Sequence, residues 1–131
     1  MILYLTLGTN DVARAGRFYD AALAPLGITR LQTEAEEIGY GLPGDARCKL
    51  WVTRPHDQRS ATVGNGSMPA LQAADEAAVA AFHTAGLAAG GTDEGAPGYR
   101  PYGPSFYAAY LRDPDGNKLS AVCERAARVT D

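Results

Sequence analysis

The chain ends in a segment that leaves little freedom of fold: Phe106-Tyr-Ala-Ala-Tyr-Leu-Arg-Asp-Pro-Asp-Gly-Asn-Lys-Leu-Ser-Ala-Val-Cys123. Two apolar runs flank the turn Asp113–Asn117. Pro114 presets φ for a turn, Gly116 supplies positive φ, and the Asx side chains can bond nearby backbone. The segment reads as a β-hairpin whose alternation commits one face to a core.

The rest of the chain divides into two stretches of the same plan. In the first, Ile2–Gly8 is strand-like and Asn10-Asp11 offers a helix cap. Val12, Ala15, Phe18-Tyr19 and Leu23 recur at helical spacing, and Pro25 and Gly27 stop the helix. Strand candidates follow at Ile28–Thr33, Glu37–Leu42 and Lys49–Thr53. Arg54–Gly66, rich in Pro, Gly, Asp and Ser, reads as a linker. In the second stretch Ser67–Ala73 is a strand, and Asp75 caps a helix carrying Val79, Phe82 and Leu87. Gly90-Gly91 ends that helix, and strands continue through Val122. Strand, helix and three strands, twice over, is what an internal duplication would give. A single α+β sandwich without symmetry is the alternative.

The chain has 131 residues, 46% apolar and 21% charged, enough for one domain with a real core. A net charge of −3 gives no footprint for nucleic acid or an anionic membrane. No apolar run approaches the ~18 residues that span a bilayer. Met1–Leu7 lacks a basic n-region and reads as a first strand rather than a signal peptide. Cys48 and Cys123 sit in apolar alternations and are expected as buried free thiols. A cytoplasmic location is the expectation.

The hairpin, Leu7-Gly-Thr-Asn-Asp-Val-Ala-Arg-Ala-Gly-Arg-Phe-Tyr19 and Ala78–Gly91 together resemble the vicinal-oxygen-chelate superfamily: glyoxalases, bleomycin-resistance proteins and ring-cleaving dioxygenases. The resemblance covers nearly the whole chain. It implies an α+β domain over 1–131, with one module at about 1–54, a linker at about 55–66 and a second module at about 67–125. Each module would be βαβββ, and the two would form a curled eight-stranded mixed sheet around a cleft, with helices on the outer face. It also implies a homodimer.

Strand parity then sorts side chains. Leu5 and Leu7 should lie under the helix, leaving Tyr4, Thr6 and Gly8 for the cleft. Leu71 and Ala73, with Pro69, take the helix side, leaving Met68, Ala70 and Gln72. Leu119, Ala121 and Cys123 do likewise, leaving Lys118, Ser120 and Val122. Metal-using members of the superfamily carry a His in the first strand, a His or Glu opening the second module, and a Glu after the last turn. Those positions fall here on Tyr4, Met68 and Ser120, and a further His position on Gly103. A phenol, a thioether and an alcohol do not make a site for a divalent transition ion, so no metal or other cofactor is expected. His56, in the linker, and His83, on the second helix, lie away from the cleft.

Trp51, the sole tryptophan, has Leu50 and Val52 on its opposite face and is either core or a pocket wall. Tyr99, Arg100, Tyr102 and Tyr107 form either a loop over the cleft mouth or a lid in which Arg100 grips an anion. Lys49 and Lys118, in phase with the cleft, are expected to snorkel to solvent. The candidate cleft residues are thus Tyr4, Thr6, Trp51, Met68, Gln72, Arg100, Tyr107 and Ser120, with no catalytic residue assigned. The expected function is metal-independent binding of a small organic molecule. The alternative is a glyoxalase- or dioxygenase-like enzyme using an unrecognised metal site or acid–base groups, with Tyr4 and Ser120 polarising a carbonyl.

Overall fold

The computed structural model describes residues 1–125. Its elements are β1 (Leu5–Gly8), α1 (Val12–Leu23), β2 (Thr29–Thr33), β3 (Glu37–Gly41), β4 (Leu50–Thr53), β5 (Ala70–Gln72), α2 (Glu76–Ala88), β6 (Thr92–Tyr99), β7 (Tyr107–Arg112) and β8 (Lys118–Cys123). They build two four-stranded mixed sheets in the orders β1-β4-β3-β2 and β5-β8-β7-β6. In each, the strand before the helix runs parallel to the last strand of its half, and the other pairs are antiparallel. The repeated order of elements is therefore matched by repeated pairing. The sheets do not close on one another, as befits a curled α+β sheet.

The helices start where short acidic side chains can replace missing backbone partners. Asp11 accepts from the Arg14 N–H at 3.0 Å, and Asp75 from the Ala78 N–H at 2.8 Å. Gly27, at φ 75°, turns the chain after α1 and the short 3-10 turn Ala24–Leu26. α1 buries Ala15, Phe18, Tyr19, Ala22 and Leu23 on one stripe. On α2 the buried positions are Val79, Phe82, His83 and Gly86, while the expected core residue Leu87 stays exposed. Gly86 takes the inward place because space is short there: a Cβ would lie 3.3 Å from Phe18 Cε2.

One core joins both halves. Leu5, Leu7, Ile38, Tyr40, Leu50 and Val52 of the first sheet and Leu71, Leu111, Leu119 and Ala121 of the second all pack toward the helices. Strand parity is thereby fixed as read from the sequence. Five strands are shorter than expected: β1 starts at Leu5 rather than Ile2, β5 spans only Ala70–Gln72, and β2, β3 and β4 each lose one terminal residue. Cys48 and Cys123 are buried free thiols.

Candidate functional site

With the core on the helix side, each sheet presents an open face. On the first, register sets Thr6 beside Trp51 and Trp51 beside Gly39. A Cβ on Gly39 would lie 2.8 Å from Trp51 Cζ3, so the half-buried indole rests on bare backbone. Beside it Thr6, Gly8, Glu37 and Thr53 border a recess of about 830 Å³ whose rim includes the exposed His56.

On the second sheet, Tyr110 stands between Gly95 of β6 and Ser120 of β8. Arg100 folds back along β6, with its Cζ 5.3 Å from the Tyr110 ring centroid, and Lys118 Nζ lies 5.7 Å from the same centroid. Both separations fall within the range of a cation over an aromatic face. Arg100 is held by hydrogen bonds from Nη2 to the Ala96 carbonyl at 2.7 Å and from Nη1 to the Tyr99 carbonyl at 3.4 Å. Ser120 is fully buried, and its Oγ has no hydrogen-bond partner among the described residues. The two open faces meet at a smaller recess of about 160 Å³, lined in part by Thr6, Gly8, Thr62, Ser67 and Lys118.

The residues singled out from sequence are dispersed over this surface. Thr6 and Trp51 lie on the first face, Gln72, Arg100 and Ser120 on the second. Tyr4 and Met68 precede their strands and are 46% and 39% exposed, while Ser120 is sealed. Tyr107 does not belong with them. It pairs with Cys123 and packs against Ala73, Val79 and Ala109 on the helix side. The reason is parity: Tyr107 is in phase with Leu111, which the core claims. The Tyr99 and Tyr107 rings meet edge-on at 5.0 Å and Tyr102 meets Phe106 at 5.3 Å, so each of these tyrosines packs on an aromatic neighbour.

Sequence reasoning passes over Tyr110. The signal is there, because a hairpin with a turn at Asp113–Asn117 puts residue 110 opposite 120. Lys118, expected to reach for solvent, instead sits over that ring.

Tyr4, Met68 and Ser120 supply a neutral phenol, a thioether and an alcohol, and the first two are exposed while the third is buried. Such donors do not fit a divalent transition ion, which takes imidazole, carboxylate or thiolate. Among the described residues no three His, Cys, Asp or Glu side chains are grouped so as to hold a metal ion. No helix there is long and apolar enough to cross a membrane.

Solved structures share this architecture. A glyoxalase/bleomycin resistance protein from Albidiferax ferrireducens T118 is 38% identical, with a TM-score of 0.82 over 93% of this chain and 97% of that one. A glyoxalase-related enzyme from Fulvimarina pelagi is 24% identical, with a TM-score of 0.72 over 92% and 86%. A lactoylglutathione lyase from Agrobacterium tumefaciens, 23% identical with a TM-score of 0.64 over 94% and 92%, shares the fold. No curated protein matches the chain. The family model for the glyoxalase/bleomycin resistance protein/dioxygenase superfamily matches residues 1–120, and the chain belongs to that superfamily.

Proposed function

We propose that this chain binds a small organic molecule against the open faces of its sheets without recruiting a metal. The observation that carries the reading is Trp51. Its indole lies on the bare Gly39 backbone, on the sheet face that the core does not use. A large ring held there offers a flat apolar wall, the usual way a pocket gains affinity for a planar ligand. The donor set at Tyr4, Met68 and Ser120 supports the metal-independent part. Among the described residues β1, β2, β5 and β6 are each unpaired on one side, and a second copy of the chain, making a homodimer, would cover such edges.

Titration of the intrinsic Trp51 fluorescence with a panel of planar organic acids, amides and amines, with and without EDTA, tests the reading. Saturable quenching by at least one compound, unchanged by the chelator, is the expected result. Quenching that disappears with EDTA and returns with Zn²⁺ or Ni²⁺ would replace it with a metal-using, glyoxalase-like enzyme. Light scattering at micromolar concentration should give twice the 13.8 kDa chain mass; a monomer would remove the homodimer.

A further inference from the structure

The second open face carries two cations with no carboxylate within ion-pair distance among the described residues. Among the described residues every Arg or His within ion-pair distance of a carboxylate is accounted for by Arg14–Asp115, Arg30–Asp20, His83–Asp93, Arg112–Glu94 and Arg125–Glu76. Arg100 and Lys118 are in none of them, yet both are held over the ring of Tyr110. Both acids of β6 are already engaged, Asp93 by His83 at 2.8 Å and Glu94 by Arg112 at 2.5 Å. In a chain of net charge −3, two uncompensated cations therefore converge on a single aromatic ring.

The convergence is built into the backbone. Arg100 lies along β6 over two glycines: a Cβ on Gly98 would stand 3.0 Å from Nη1, and one on Gly95 3.3 Å from Nη2. The missing side chains at these two positions let the guanidinium lie close along the strand. On this face Tyr110 has small neighbours in Ala108 on β7 and in Ala70 beyond Ser120 on β5, and on its other side along β7 Arg112, whose charge Glu94 takes. Ser120, directly across from Tyr110, has a buried hydroxyl with no partner among the described residues. A polar atom sealed without a hydrogen bond is costly, so the strand pair under Tyr110 is held at some expense.

We propose that Arg100 and Lys118, flanking Tyr110 on the second sheet, grip the carboxylate of a small planar organic acid. This deepens the small-molecule reading above and rests on it. The guanidinium offers a planar fork to a carboxylate, the ammonium a second point charge, and the phenol ring an edge or face for the ligand's own ring. Lys118 also borders the recess shared with Thr6, Thr62 and Ser67, so its reach joins the two open faces.

Benzoate, benzamide and benzylamine, three probes of one size with negative, zero and positive charge, separate the possibilities. Calorimetric titration of the intact chain at low and high salt should show benzoate binding roughly tenfold tighter than benzamide, an advantage that shrinks as salt rises. Lys118→Met and Arg100→Gln should each cost benzoate roughly fivefold or more in affinity and leave benzamide unchanged. Tyr110→Leu, which keeps both cations but removes the ring, should weaken both probes. Equal binding of benzoate and benzamide, a preference for benzylamine, no binding of benzoate, or benzoate affinity indifferent to both cation substitutions overturns the proposal. If the amide or amine binds with metal-independent quenching of Trp51, the small-molecule reading stands and only the carboxylate grip falls. A charge preference that survives while EDTA abolishes quenching keeps the grip and removes the metal-independent reading.

Discussion

The two halves of this protein repeat one topology but solve the same corner in opposite ways. In the second half the turn from β7 to β8 is Asp113–Asn117, and it is clamped into the first half by a buried polar network. Asp113 accepts from the Tyr19 hydroxyl at 2.5 Å, from Asn117 Nδ2 at 2.9 Å and from the backbone N–H groups of Asp115 and Asn117. Asp115 takes Thr9 Oγ1, the Asn10 N–H and Arg14 Nη2, and Asn117 Nδ2 also donates to the Gly8 carbonyl. In the first half the connection from β3 to β4 is the longer loop 42–49, where among the described residues Asp45 accepts only from its own loop, the Leu42 N–H. The contact across the halves is apolar there. Leu5, Leu26, Ile28 and Leu50 face Leu71 across a recess of about 370 Å³.

The difference shows where directional bonding holds the halves and where only apolar contact does. A buried carboxylate surrounded by donors is stable because each lone pair is used; removing it strands several partners at once. Asp113 is 2% exposed, so Asp113→Ala should cost about 3–5 kcal/mol, more than any substitution at the recess. Urea unfolding would measure it. A loss no greater than that of an exposed Asp, such as Asp57, would mean the clamp does not hold the halves together.

Tyr19→Phe removes one charged-acceptor hydrogen bond and leaves Asp113 its other donors, so a loss of about 2 kcal/mol is expected. The substitution also changes the response to alkali. Burial, the Asp113 charge and the hydrogen bond to it raise the Tyr19 phenol well above its ordinary value of 10.0. A folded-state value above the unfolded one means that stability is whole below about pH 10, where both states are neutral. It declines as the pH climbs from there toward the folded-state value. Tyr40, raised by burial and by its hydrogen bond to Asp20, adds to the same decline. Tyr19→Phe should therefore flatten the loss of stability above pH 10 without abolishing it. An unchanged slope would show that Tyr19 ionisation is not linked to unfolding.

Most of this contrast is legible in the sequence on one side only. The turn residues Pro114 and Gly116, and the alternation on either side, specify the hairpin by local chemistry, and Gly116 does adopt φ 94°. The helical stripe of Ala15, Phe18, Tyr19 and Leu23 announces a buried face. What local pattern does not convey is that Tyr19 bonds an aspartate 94 residues away, since that depends on how the halves dock. The recess is equally silent, because no residue signals a space. At the candidate site, parity places Thr6, Gln72 and Ser120 on the open faces. Tyr107 is misplaced when its nearness to Arg100 in sequence outweighs its phase with Leu111. Tyr110, in the opposite phase, is the ring that Arg100 covers.

The recess gives the gentlest way to sharpen the comparison. Leu71 is half-buried, packs on the common core and borders the empty volume, so a larger side chain there has somewhere to go. Leu71→Phe would bury additional apolar surface between the halves without displacing a neighbour, and should stabilise the chain by about 0.5–1 kcal/mol. The gain should be nearly additive with the loss from Tyr19→Phe, since the hydroxyl that is removed bonds Asp113, which does not border the recess. Coupling between the two, read from a double-mutant cycle in urea, would mean that clamp and recess are ends of one cooperative interface rather than independent contacts. A loss of about 1–3 kcal/mol on its own, the usual cost of overpacking, would mean that the recess closes when the halves breathe and is not free space for a side chain.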